Sequence, residues 1–179
     1  MKVSEILSLK TPPSSLLVSP ADNPYDFRFT EFRIRDPVDN SILFHISEDP
    51  AHTTVGSVDF DRESDPLGPI IKYTFPKRFL DLDTVATSIS FCNGDQPIQS
   101  FRMIERFHFR GKLIKEFDFS FGFVIPNTTN SMESIYPMPY LKSSIKKQIM
   151  ENPFETISDS FYFVGDELVM HNRALYAFE

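Results

Sequence analysis

The sequence predicts an all-β fold: an immunoglobulin-like antiparallel β-sandwich with one inserted amphipathic helix and a short N-terminal helix. Three observations predict it. Runs of alternating apolar and polar residues recur about eight or nine times at short spacing, as the strands of a two-layer sandwich require. Turn residues such as Asp36-Pro37, Asn93-Gly94 and Gly165-Asp166 punctuate those runs. One stretch only, late in the chain, carries a helical period over its apolar residues. An all-β barrel is the alternative architecture. Residues 1–24 read as a helix and Pro-rich lead-in, and residues 25–179 as the sandwich.

The most regular run is Glu116 to Ile125, where Phe117, Phe119, Phe121 and Phe123 alternate with Glu116, Asp118, Ser120 and Gly122. Successive strand side chains point to opposite faces, so these four rings line up on one apolar face. This strand reads as the one around which the chain is organised. Whether its rings meet only other side chains or also an apolar guest is the functional question.

From the start of the chain, Ser4 is placed to cap a short helix carrying Val3, Ile6 and Leu7, which the prolines between Thr11 and Pro24 end. Phe27, Phe29, Phe32 and Ile34 then form a strand whose phase slips at Thr30 and Glu31, the mark of a β-bulge. Ile42, Phe44 and Ile46 return from the turn at Asp36 to Asn40. Residues 47–69, rich in Asp, Glu, Pro and Ser, read as a solvated, mobile loop. Asp59, Asp61, Glu63 and Asp65 imitate a calcium loop there, but its sixth position is Ser64 instead of Gly and its twelfth is Ile70 instead of Glu. Strands follow at Ile70 to Phe75 and Leu80 to Phe91, then an Asn93-Gly94 hairpin signal, then Phe101 to Arg110 reversing at Gly111. Leu141, Ile145 and Ile149 mark the amphipathic helix, stopped before Pro153, and Ser160 to Val164 with Leu168 to Phe178 make a final hairpin.

Composition narrows the function classes. The chain holds 19 Phe and 6 Tyr but no Trp, and its formal charge is -7. A general nucleic-acid binder needs a basic field over phosphates, which that charge opposes. A single cysteine, Cys92, allows no internal disulfide and suits a reducing compartment. No apolar run approaches the roughly 20 residues of a membrane-spanning helix, and Met1 to Lys10 lacks the layout of a secretory signal. These features read as a cytoplasmic monomer with no stable membrane insertion.

Chemistry is sparse. His45, His52, His108 and His171 are scattered with no metal-ligand spacing, and no nucleophile elbow or Gly-rich phosphate loop is present. Neither an enzyme, nor a metal site, nor a cofactor is expected. One residue is misplaced: Glu105 shares strand parity with Phe107 and Phe109, so a carboxylate projects from an apolar face. An unpaired buried charge is unfavourable, so Glu105 either pairs with Arg102 or Arg106 or stands at a polar mouth, accepting a ligand N–H. Tyr73 and Tyr162 also lie within apolar strands.

SFRMIERFHFRGKLIKEFDFSFGFVIPNTTN and ENPFETISDSFYFVGDELVMHNRALYAF resemble the uncoordinated (Unc) family of lipid-binding chaperones, relatives of the phosphodiesterase delta subunit and of Rho GDP-dissociation inhibitors. FRIRD from Phe32, LFHI from Leu43 and KYTFPKRFL from Lys72 fit as well, so the resemblance runs from Phe27 to the C-terminus. It implies a non-enzymatic solubilising factor that holds the acyl chain of N-myristoylated proteins between its sheets. Such cargo includes G-protein alpha subunits, Src-type kinases and ciliary proteins. Release then comes from an Arf-like GTPase in its GTP form.

Rings at Phe32, Tyr73, Phe79, Phe117 and Tyr162 line or close the pocket by that resemblance, and Glu105 receives the N–H groups of the acylated glycine. Parity adds Phe91, Phe107 and Phe119. The chain departs from the family at Phe107, where relatives carry a histidine, and in lacking a long Pro-rich leader, so partner contacts through a leader are not expected. A prenyl carrier, an adaptor with a solid core and a lipid-modifying enzyme are the rival readings.

Overall fold

Two sheets stack with their apolar faces toward each other. The computed structural model describes Met1–Glu179. Its elements are α1 (Val3–Ser8), β1 (Arg28–Arg35), β2 (Ile42–Ser47), β3 (Ser57–Asp61), β4 (Ile70–Phe75), β5 (Thr84–Cys92), β6 (Ile98–Phe109), β7 (Lys112–Val124), β8 (Thr129–Pro137), α2 (Ser143–Glu151), β9 (Thr156–Val164) and β10 (Glu167–Phe178). A four-stranded sheet runs β2-β1-β5-β8 and a six-stranded sheet runs β3-β4-β10-β9-β6-β7. The sandwich is therefore as expected, with one correction: β10 pairs β4 in parallel. Only a tight turn forces antiparallel pairing, and no turn joins these two strands.

The Phe strand is not central. β7 is the edge of the six-stranded sheet, and β9 and β10 hold its middle. Phe117, Phe119 and Phe121 face inward, but Phe123 is 55% exposed. The cause is a bulge: Gly122 sits at φ 75, and β6 residues Phe101 and Arg102 pair with Gly122 and Ser120, leaving Phe121 without an opposite number. The extra residue shifts the parity, and Val124 takes the inward place instead. The bulge read at Thr30 is present, since β1 passes from Phe29 opposite Phe91 to Glu31 opposite Ser90.

Asn93-Gly94 does not make a hairpin. β5 and β6 belong to different sheets, so residues 93–97 carry the chain across the sandwich. Residues 125–128 carry it back, and the two crossings hold each other: Asn127 N–H donates to the Gly94 carbonyl at 2.8 Å. Gly94 N–H in turn donates to Tyr25 O at 2.8 Å, and a Cβ at Gly94 would stand 3.0 Å from the Asp26 Cβ. Close approach, rather than turn conformation, requires this glycine. The second crossing delivers β8, a strand the sequence had hidden.

Smaller corrections follow the same logic. Within 47–69, β3 pairs with β4, Asp61 meets Lys72 at 3.0 Å, and buried Asp65 accepts Leu16 N–H at 2.7 Å. The acidic run stays largely exposed, as expected, but it is tied into the fold through β3 instead of forming a free loop. Leu80 lies in a 3-10 turn ahead of β5. At the N-terminus Lys2 is the cap, its N–H donating to the Glu5 carboxylate at 2.6 Å, while Ser4 lies inside α1 and Leu7 is 40% exposed.

Residues 1–18 cover the outer face of the six-stranded sheet. Val3 and Ile6 pack against Ile104, Phe161, Phe163 and Leu168. Beside them the Arg106 guanidinium donates to the Ile6 and Leu9 carbonyls at 2.9 and 3.0 Å, and Arg173 donates to Pro13 O at 2.8 Å. Leu17 N–H donates to His171 Nδ1 at 3.0 Å, which leaves Nε2–H to donate to Asp159 at 2.9 Å. Arg173 Nε also donates to Asp159, at 2.7 Å. Burial by itself raises the Asp159 carboxyl, but these two donors hold it below its ordinary value.

Candidate functional site

The inner faces of the two sheets do not fill the space between them. At one end Phe27, Phe91, Phe101 and Tyr162 close into a solid cluster, each no more than 5% exposed. Toward α2 a cavity of about 790 Å³ remains, within the range of small-molecule pockets. Side chains such as Phe32, Tyr73, Phe107 and Phe119 point inward yet keep accessible surface, because they face the cavity instead of other atoms.

Of the nine residues the sequence singled out, Phe32, Tyr73, Phe79, Glu105, Phe107, Phe119 and Tyr162 line this cavity. Phe91 and Phe117 do not. Phe91 is sealed in the solid cluster against Phe27, 4.8 Å between ring centroids. Phe117 lies on the edge strand and turns onto Tyr136 of β8 at 4.2 Å, closing the side of the sandwich where the two sheets' edge strands meet. Its ring bars the gap instead of lining the hollow.

Glu105 faces the cavity from β6. Neither arginine reaches it: Arg102 binds Asp118 at 2.5 and 2.7 Å, and Arg106 binds Glu116 at 2.8 Å. Ser160 Oγ alone donates to it, at 3.4 Å. Burial pushes the carboxyl up to about 7, against the opposing influence of Lys115 and the Ser160 hydroxyl. Protein surrounds the group on every side, but the carboxylate retains accessible surface because an unfilled space lies before it.

Lys115 is the site residue sequence reasoning missed. It stands opposite Phe107 on β7, diagonal to Glu105, whose opposite residue is Phe117. Its Nζ lies 3.9, 4.3 and 5.5 Å from the ring centroids of Phe117, Tyr136 and Phe107. Its closest heteroatom contact is Met138 Sδ at 3.4 Å. Burial pulls the ammonium down to about 7, with the Glu105 charge opposing. The parity that exposed Glu105 also places Lys115 with Phe117 and Phe119, so the signal was present. Tyr136 lay on the unread β8.

Four phenols complete the polar lining. Burial, then the Glu105 charge, raises Tyr73, Tyr136, Tyr162 and Tyr176, so all four are neutral at ordinary pH. Tyr136 shares a hydrogen bond with Thr87 Oγ1 at 2.6 Å, and Tyr176 with Ser158 Oγ at 3.0 Å. The fold also assembles a histidine cluster that spacing did not reveal: Glu31, His45 and His52 each bring a ligand-type atom within 4.8 Å of the others. There Glu31 and His45 share a hydrogen bond of 2.8 Å, and His52 one of 3.1 Å with Ser47.

The site offers an apolar hollow with one carboxylate and one ammonium on its wall, room and chemistry for an apolar chain with a polar end. Similarity to known proteins points the same way. Residues 21–178 match the family described as "GMP-PDE, delta subunit". The chain is 43% identical to protein unc-119 homolog B of Danio rerio over 97% of its own length and 72% of the relative's. It is 42% identical to protein unc-119 of Caenorhabditis elegans over 98% and 78%, and 41% identical to human protein unc-119 homolog B over 99% and 72%. The chain belongs to the GMP-PDE delta-subunit family of lipid-binding carriers, on its unc-119 branch.

Proposed function

We propose that this protein is a non-enzymatic carrier that holds the acyl chain of N-myristoylated proteins between its sheets, lifts them from membranes and delivers them elsewhere. The observation that carries the reading is the apolar cavity of about 790 Å³ with a buried, nearly unpartnered carboxylate, Glu105, on its lining. Chain and head group divide the work. Burying about a dozen methylenes at ~0.8 kcal/mol each offers on the order of 10 kcal/mol gross, before ordering is subtracted. A myristoyl chain alone binds membranes at only ~10⁴ M⁻¹, so the pocket needs a modest advantage to extract it. Chain length discriminates weakly, whereas an unmet buried hydrogen bond is penalised strongly. Glu105, accepting the N–H groups of the acylated glycine, therefore supplies selectivity.

Release belongs to a second protein, an Arf-like GTPase in its GTP form that docks on the sandwich and narrows the pocket. By linkage, cargo and GTPase each weaken the other's binding. The carrier works in the cytoplasm, with ciliary membranes among its destinations. No helix of the fold is long and apolar enough to cross a membrane.

The test is fluorescence polarisation of a labelled N-myristoyl-glycine peptide, with farnesylated and non-acylated peptides alongside, on wild type and Glu105→Ala. Tight binding of the myristoyl peptide alone is expected, weakened more than tenfold in the variant, about 1.4 kcal/mol. Preference for the farnesylated peptide would make the protein a prenyl carrier. Binding of neither lipid would refute the carrier. Saturating GTP-loaded Arf-like protein is expected to lower acyl-peptide affinity, and an unchanged affinity would remove the release step.

A further inference from the structure

The proposed carrier role assigns the acylated N-terminus to Glu105 alone, and the cavity holds a second charge that this role leaves unused. Lys115 Nζ makes no ion pair. Three rings and a thioether surround it, and Glu105, diagonal to it across β6 and β7, does not approach to ion-pair distance. Two opposite charges thus face one hollow without touching. An ammonium on the wall of an apolar cavity is a receptor for the anionic end of an apolar chain.

We propose that the pocket also takes free long-chain fatty acids, with the carboxylate on Lys115 Nζ and the alkyl chain in the aromatic hollow. This rests on the reading of the cavity as an acyl pocket. A fatty acid has no amide N–H to offer Glu105, so the Glu105 carboxylate repels it unless protonated. Acylated protein and free acid then compete for one space while favouring opposite protonation of the Glu105–Lys115 pair. As pH falls from about 8 to 6 the pair gains protons and the pocket becomes more positive, while a free carboxylic acid, with ordinary pKa near ~4–5, stays ionised. Free acid gains as acylated peptide loses.

The other charged groups around the cavity do not reverse that sign. The phenols of Tyr73 on β4, Tyr136 on β8, Tyr162 on β9 and Tyr176 on β10 stay neutral. Arg28 of β1 pairs with Glu48, Glu31 of β1 with His45, and Arg173 of β10 with Asp159. Lining residues next to α2, such as Met138, Leu141 and Ile149, are uncharged.

Isothermal titration calorimetry of dodecanoate and dodecanol tests this directly, without the peptide probe, on wild type, Lys115→Met, Lys115→Arg and Glu105→Gln. The expected result is at least tenfold tighter binding of the acid than of the alcohol at pH 6.5. That preference is lost in Lys115→Met, kept in Lys115→Arg and enlarged in Glu105→Gln. Dodecanol binding to Lys115→Met at wild-type strength shows that the variant keeps its pocket. Equal affinity for acid and alcohol, or a preference that survives Lys115→Met, overturns the proposal and leaves the carrier of acylated proteins standing. Acid binding of the expected pattern with no acyl-peptide binding would instead sink the carrier and keep the fatty-acid site.

Discussion

Asp159 and Glu105 are buried carboxylates on neighbouring strands of one sheet, yet they face opposite ways and live opposite lives. Asp159 looks outward under the N-terminal segment and receives His171 and Arg173 at 2.9 and 2.7 Å. Glu105 looks inward on the cavity with one hydroxyl at 3.4 Å. Their titrations move apart accordingly, Asp159 down and Glu105 up. A buried charge whose partners belong to the fold is architecture. A buried charge that faces unfilled space waits for a partner the fold does not contain.

The comparison breaks most visibly at Asp159. Asp159→Ala leaves Arg173 and His171 buried without their acceptor, and chemical denaturation should show a loss of about 3–5 kcal/mol. The wild-type contribution is present above the ordinary carboxylate range, near pH ~4, and disappears as pH falls through the lowered folded value, because the unfolded chain then binds the proton first. Stability that is unchanged in the variant would dissolve the contrast.

On the inner face the sign reverses. The fold penalises the ionised forms of both Glu105 and Lys115 between about pH 4 and 10, since one pKa is raised and the other lowered. Replacing both, Glu105→Gln with Lys115→Met, should therefore stabilise the free protein by about 1–4 kcal/mol, at roughly 2–4 °C of Tm per kcal/mol, while abolishing head-group selectivity. A drop in Tm by differential scanning calorimetry would mean that the pair holds the sandwich together.

Acidity sharpens the contrast further. Acyl-peptide affinity should fall as pH drops from about 8 to 6 and the Glu105–Lys115 pair takes up protons, and Glu105→Gln should flatten the profile. The smallest effect belongs to the edge. Tyr136→Phe removes the hydrogen bond to Thr87 and should lower stability by about 1 kcal/mol, with dodecanol affinity changed less than twofold.

What the sequence disclosed follows from how many layers of contact each feature needs. Glu105 was legible because a carboxylate among phenylalanines violates a period of two, a purely local rule. Lys115 obeys the same rule and was overlooked because its neighbours Ile114 and Glu116 blur the alternation. β8 was invisible for another reason: Asn130, Met132, Ser134 and Tyr136 point inward as a mixed polar and apolar set, since part of what they face is the cavity. Asn93-Gly94 misled because turn chemistry fixes how a chain reverses but not which sheet receives it. The eccentric place of the Phe strand depends on pairings between residues more than 30 positions apart, such as β6 with β9, to which periodicity is blind.

The parallel seam between β4 and β10 has a consequence for the life of the nascent chain. The strand that occupies the middle of the six-stranded sheet is the last of the ten to leave the ribosome, and until it arrives β4 and β9 present bare, hydrogen-bond-hungry edges. Non-local closure of this kind is slow. The hollow can then form only once β10 has been made, and a chain cut short before β10 should yield no weakened pocket but an aggregation-prone, half-built sandwich for the cell's quality control to remove.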